Sequence, residues 1–147
     1  MLIDFQVIPH RRQRYDTCGD YYKRRGGPWT FRVSRFKGNK TYPILIFLHE
    51  IIEFFMCRLA GVRMAAIDKF DIEYEKHRPI DANGGRLRRD EPQANHAPCG
   101  CQFYDEPGDD PHAPYYLQHQ TATACEKLIA KALGVDWEAY NNAVESL

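Results

Sequence analysis

The sequence has no apolar run of about twenty residues, no internal repeat, no sustained heptad pattern and no net charge. The first absence gives no candidate for a membrane-spanning helix. The second and third exclude solenoids and coiled coils. The balance of 20 Lys+Arg against 20 Asp+Glu hides an uneven distribution. Residues 1–40 carry 10 basic and 3 acidic side chains, and residues 41–147 carry 10 basic and 17 acidic ones. Such halves can attract each other within one fold, or the basic part can meet an acidic partner. The opening Met1–Ile8 stretch is too short for a signal core, and Asp4 interrupts it, so no secretory signal is expected. Five cysteines cannot all pair with one another. Reduced thiols and a cytoplasmic location are therefore expected.

What remains is a chain of 147 residues, 44% hydrophobic and 13% aromatic, which suits a folded protein with its own core. The expectation is a single domain over 1–147, of α+β class. A small antiparallel N-terminal sheet would pack on three or four helices. Leu2–Ile8 alternates as a strand does. Gly19 and Asp20 read as a turn, as does Gly26-Gly27-Pro28. Trp29, Phe31 and Val33 alternate with polar residues, which predicts a half-buried strand.

A helix is predicted from Tyr42 to Ala60, with Pro43 in its first turn and Gly61 as its stop. Leu45, Leu48, Ile52, Phe55 and Leu59 form its expected apolar stripe. A second helix is predicted over about Ala65–His77, with Asp68, Asp71 and Glu75 on one solvated face. Residues 79–112 read as a long loop or insertion bordering a cleft between the first helix and the next. That loop holds the basic run Arg86-Leu87-Arg88-Arg89 and the soft ligands His96, Cys99 and Cys101. A third helix is expected to begin near Ala113-Pro114, capped by Asp110 or His112, and to end at Leu133 before Gly134. Asp136 is the expected N-cap of a short last helix.

The most informative stretch is Leu48-His49-Glu50-Ile51-Ile52-Glu53, embedded in the apolar first helix. A buried carboxylate is costly unless it is paired, protonated or bound to a metal. His49 and Glu53 are four residues apart and share a helical face. The spelling His-Glu-x-x-Glu differs by one residue from the His-Glu-x-x-His helix of zinc hydrolases. By the same geometry His49 and Glu53 would be metal ligands, and Glu50 would be the general base acting on bound water. His119 is the candidate third ligand, with Glu126 seven residues later as a possible fourth. The expected cofactor is a divalent ion: zinc first, iron or manganese as alternatives. The competing reading is a structural polar network, with the His/Glu pair held by Arg58, Arg63 or the basic N-terminal segment. In that case the protein is a non-catalytic accessory whose surface binds protein or nucleic acid. Arg11–Tyr15 and Tyr21–Arg25 interleave cations with aromatic rings, a pattern able to stack on single-stranded bases. Glu106-Pro-Gly-Asp109-Asp110 reads as a turn, with a hard-cation loop as the alternative.

Three blocks together resemble a family of small bacterial and phage-encoded proteins to which no activity attaches. They are Gln13–Thr17 with Gly19-Asp20-Tyr21, then Leu48–Glu53, then Glu106–Tyr115 with His119 and Glu126. Against that pattern, Ala82–Cys101 looks like an insertion. A looser resemblance is to zincin-like metallopeptidases, which also place a short sheet before the metal-binding helix and a third ligand on a later helix. His49 and Glu50 match that pattern. Glu53 stands where histidine is expected, which adds negative charge and hardens the site.

Overall fold

The computed structural model describes residues 1–79 and 104–147. The chain divides into two compact units. One joins Met1–Gly61 to Leu117–Leu147, and the other is Val62–Tyr116.

The first unit opens with strands β1 (Ile3–Ile8), β2 (Gly19–Lys23) and β3 (Trp29–Ser34), in the order β1-β3-β2. The fold is α+β, with a small N-terminal sheet. The β2–β3 pair is antiparallel, as expected, but β1 runs parallel to β3, so the sheet is mixed. The reason is topological: the chain reverses between β1 and β2 and again in the β2–β3 hairpin, and β3 then lies between them. β2 takes in Gly19 and Asp20, which read as a turn from sequence. Tertiary pairing overrides their low strand propensity.

Helix α1 spans Tyr42–Ala60, and the side chain of Asn39 accepts from the backbone N–H groups of Thr41 and Tyr42 at its start. Gly61 ends it in the left-handed region, at φ 73°, where a Cβ would be strained. Of the predicted stripe only Leu45 is buried. Leu45, Ile46, His49, Glu53, Phe54 and Cys57 are buried, whereas Phe55 and Leu59 are 44% and 89% exposed. The helix is rotated so that its histidine and second glutamate point inward, a placement that a purely hydrophobic stripe cannot anticipate. Phe31 and Phe5 pack on Phe47, and Phe31, Tyr21 and Trp29 pack on Phe54, which fixes α1 on the sheet. Helices α3 (Tyr116–Ala132) and α4 (Trp137–Glu145) complete this core through Ala130 and Tyr140. Asp136 caps α4 by accepting from the Ala139 backbone N–H at 2.9 Å, as predicted.

The described part of the second unit contains α2 (Met64–Lys76) and a 3-10 turn at Pro107–Asp109. Its acidic stripe is not a solvated face. Asp71 is buried and accepts from the Tyr115 hydroxyl at 2.6 Å, and Glu75 receives both the Nε and Nη2 of Arg78. Asp110 does not cap α3, which starts later, at Tyr116. It accepts instead from the His112 backbone N–H at 2.8 Å and closes a local turn. Arg86–Arg89 and His96, Cys99 and Cys101 lie outside the described residues. No helix among the described residues is long and apolar enough to cross a membrane.

Candidate metal centre

The first unit brings α1 and α3 side by side through four ionisable side chains. His49, Glu53, His119 and Glu126 are all buried, each 5–7% exposed. His119 and Glu126 are seven residues apart on α3, about 10 Å along the axis, so they cannot meet at one atom. The imidazole of His49 spans the gap. Its Nδ1 lies 3.0 Å from Glu126 Oε2, and its Nε2 lies 3.1 Å from His119 Nδ1. Facing a carboxylate, Nδ1 carries the proton in the neutral ring, and the Nε2 lone pair points toward His119 and Glu53.

Three donor atoms converge there. His119 Nδ1 is 3.1 Å from Glu53 Oε2, and His49 Nε2 is 3.5 Å from the same oxygen. Atoms bound about 2.0–2.1 Å from a common ion stand roughly 3.0–3.4 Å apart in octahedral or tetrahedral geometry. The His49, Glu53 and His119 triangle fits that spacing and could hold a metal ion. Glu126 falls outside the triangle, on the opposite nitrogen of His49. A carboxylate in that place would orient His49 toward an ion held by the triangle.

Two tyrosines missed in the sequence complete the network. Tyr21 of β2 donates to Glu53 Oε1 at 3.3 Å, and Tyr140 of α4 donates to Glu126 Oε1. Burial raises the Tyr21 phenol, and the nearby Glu53 carboxylate raises it further, so it remains a donor. No local sequence signal distinguishes these tyrosines from the other seven. Cys57, one turn beyond Glu53, is pushed up to about 12 by burial and by Glu53, and is a neutral thiol.

The charges in the cluster are set by competing effects. Burial alone would lower His49, but the hydrogen bonds to Glu126 and Glu53 outweigh it and raise its pKa well above the usual value. Burial alone would raise Glu53, yet the contacts with His119 and His49 bring it down to about 2. Glu50 goes the other way. Burial raises it, the Glu53 carboxylate raises it further, and Asp20 adds to the effect. Its carboxyl lies against Gly19 of β2, where a Cβ would come within 2.7 Å of Glu50 Cδ and of the Ile46 methyl. Arg14 is occupied elsewhere, gripping the buried Asp20 through Nε and Nη2 at 2.6 and 2.7 Å. Arg58 stacks over Trp29 and Phe54.

Comparisons with protein-family models, with curated proteins and with solved structures gave no match.

Proposed function

We propose that this is a metal-binding protein of hydrolase type. One divalent ion is held by His49 Nε2, Glu53 and His119 Nδ1, with Glu126 orienting His49 from its other nitrogen. The observation that carries this reading is the convergence of two imidazole nitrogens and one carboxylate oxygen within 3.1–3.5 Å of one another. Two histidines and a glutamate are a donor set of catalytic zinc, which keeps a further position for water. The same set with more open positions suits non-haem iron, and the carboxylate also accommodates manganese. Glu50 is the general base. It follows His49 directly on α1, the position of the base after the first ligand of a zinc-hydrolase helix, and would take a proton from water on the ion. Gly19 leaves its carboxyl room against β2.

The test is elemental analysis of untagged protein purified without added metal, alongside His49→Ala and Glu50→Gln. The expected result is about one equivalent of zinc, iron or manganese in the parent and in Glu50→Gln, and none in His49→Ala. Loss of metal from Glu50→Gln would make Glu50 a ligand instead of a base. A second reading is favoured by the hydrogen bonds that Glu53 and Glu126 already receive from Tyr21 and Tyr140. In it the cluster is a closed polar network that fixes α1 on α3. No stoichiometric metal in any sample, even after incubation with metals, together with a large loss of stability in His119→Ala, would replace the metal reading with this one.

A further inference from the structure

The β2–β3 hairpin concentrates positive charge that the metal centre does not use. From Tyr21 to Lys40 there are seven Lys and Arg residues and no acidic one. At the tip, Lys23, Arg24, Arg25 and Gly26 are all exposed. Gly26 has φ 76°, and a Cβ there would meet no atom of the described residues within 4 Å.

Cations line both faces of this hairpin. On one face the guanidinium carbons of Arg14, Arg32 and Arg24 lie 4.7, 5.2 and 5.9 Å from the centroid of the Tyr22 ring. Asp20 neighbours them, and Arg14 grips it in a bidentate pair. On the other face, Lys23 Nζ and the Arg58 guanidinium lie 5.8 and 5.6 Å from the Trp29 ring. These two cations, with Gly26, Gly27, Pro28 and Trp29, border a cavity of about 430 Å³ with no acidic side chain among the described residues that line it. The aromatic rings hold the cations in place at modest cost in side-chain freedom.

We infer that this hairpin and its cavity bind the phosphodiester backbone of a single-stranded nucleic acid. Arginine accounts for most of these cations, and its planar fork both pairs with phosphate and stacks on flat rings. Trp29 borders the cavity beside Lys23 and Arg58, and its half-buried ring offers a stacking surface that an acidic peptide would leave unused. A single strand can bend into the cavity and bring a base against Trp29. The contacts are to phosphates, so recognition is independent of sequence and sensitive to salt. This inference does not depend on the metal centre.

The experiment is fluorescence anisotropy of a labelled mixed-sequence 20-nucleotide strand against the full chain, between 50 and 200 mM salt. The variants are Lys23→Ala/Arg24→Ala/Arg25→Ala and, as a charge-matched control on exposed residues elsewhere, Lys69→Ala/Lys127→Ala/Lys131→Ala. The hairpin variant should weaken binding at least tenfold at 50 mM salt. It should also reduce the log–log salt slope by about 2, at about 0.7 for each phosphate that the three cations no longer neutralise. The control should change affinity less than threefold. Far-UV circular dichroism and thermal midpoint confirm that both variants fold, since every substituted side chain is exposed. No binding at 50 mM salt, equal losses in the two variants, tighter binding to a duplex of the same length, or equally tight binding of polyglutamate would each overturn the proposal.

Discussion

Tyr21 and Tyr22 are adjacent in β2 and serve opposite chemistries. Tyr21 points toward α1 and donates its hydroxyl to Glu53. Tyr22 points the other way, and three guanidinium groups surround its ring. The difference follows from the two-residue period of a strand, which sends successive side chains to opposite faces. One face of this sheet meets Glu53 and aromatic packing, with Lys23 and Arg58 beside Trp29 at its edge, and on the other face guanidinium groups gather round Tyr22. The neutral net charge of the chain is therefore a balance between separated regions. Three buried carboxylates, Glu53, Glu126 and Asp20, are each held by a specific donor.

The comparison breaks most visibly at adjacent positions on β3. Phe31 is fully buried on the α1 side, and Phe31→Ala should cost about 3–5 kcal/mol. Arg32→Ala, on the basic face, should cost less than about 1 kcal/mol. Urea unfolding of both variants checks this, and equal losses would mean that the two faces are not energetically distinct.

A smaller effect is expected one strand away. Gly19→Ala places a methyl group against the Glu50 carboxyl and Ile46, and should cost roughly 1–3 kcal/mol through local overpacking. A thermal midpoint equal to that of the parent would show that Glu50 swings away freely.

The mildest effect appears only when pH is varied on metal-free protein. Glu53 titrates near 2 in the fold, below its ordinary value of 4.5, so its stabilising contribution is present above about pH 4.5 and fades as pH falls toward 2. His49 has the opposite sign. Its raised pKa gives stability that is complete below its ordinary value of 6.5 and fades as pH climbs through the raised one. Glu50, also raised, adds stability that is complete below its ordinary value of 4.5 and fades above it, so stability should peak near about pH 4.5. In Glu53→Gln the acid-side decline should flatten, which urea midpoints measured from about pH 2 to 9 will show. An unchanged acid limb would assign that decline to other carboxylates.

Local signals in the sequence located the helices well. Pro43 and Gly61 bracket α1, and Asp136 marks the start of α4, because these residues act on backbone geometry within a few positions. Signals that depend on distant partners were not legible. Gly19-Asp20 has the composition of a turn, and only pairing with β3 makes it a strand. The inward rotation of α1 depends on His119 and Glu126, some seventy residues further along the chain. The sequence pointed to His49, Glu53 and His119, which the fold does bring together. Helical spacing could not say which nitrogen of His49 each partner of α3 would meet, and so could not separate Glu126 from the converging three.

The cluster also closes a very long circuit of chain. His49 and Glu53 belong to the segment ending at Gly61, His119 and Glu126 to the one beginning at Leu117, and the whole of Val62–Tyr116 lies between them in sequence. The entropy of closing such a circuit grows only logarithmically with its length, by about 0.6 kcal/mol for each doubling. The intervening segment can therefore be lengthened or shortened considerably while the four side chains still meet. The same long circuit makes their meeting a late event in folding, after the local helices and the hairpin have formed.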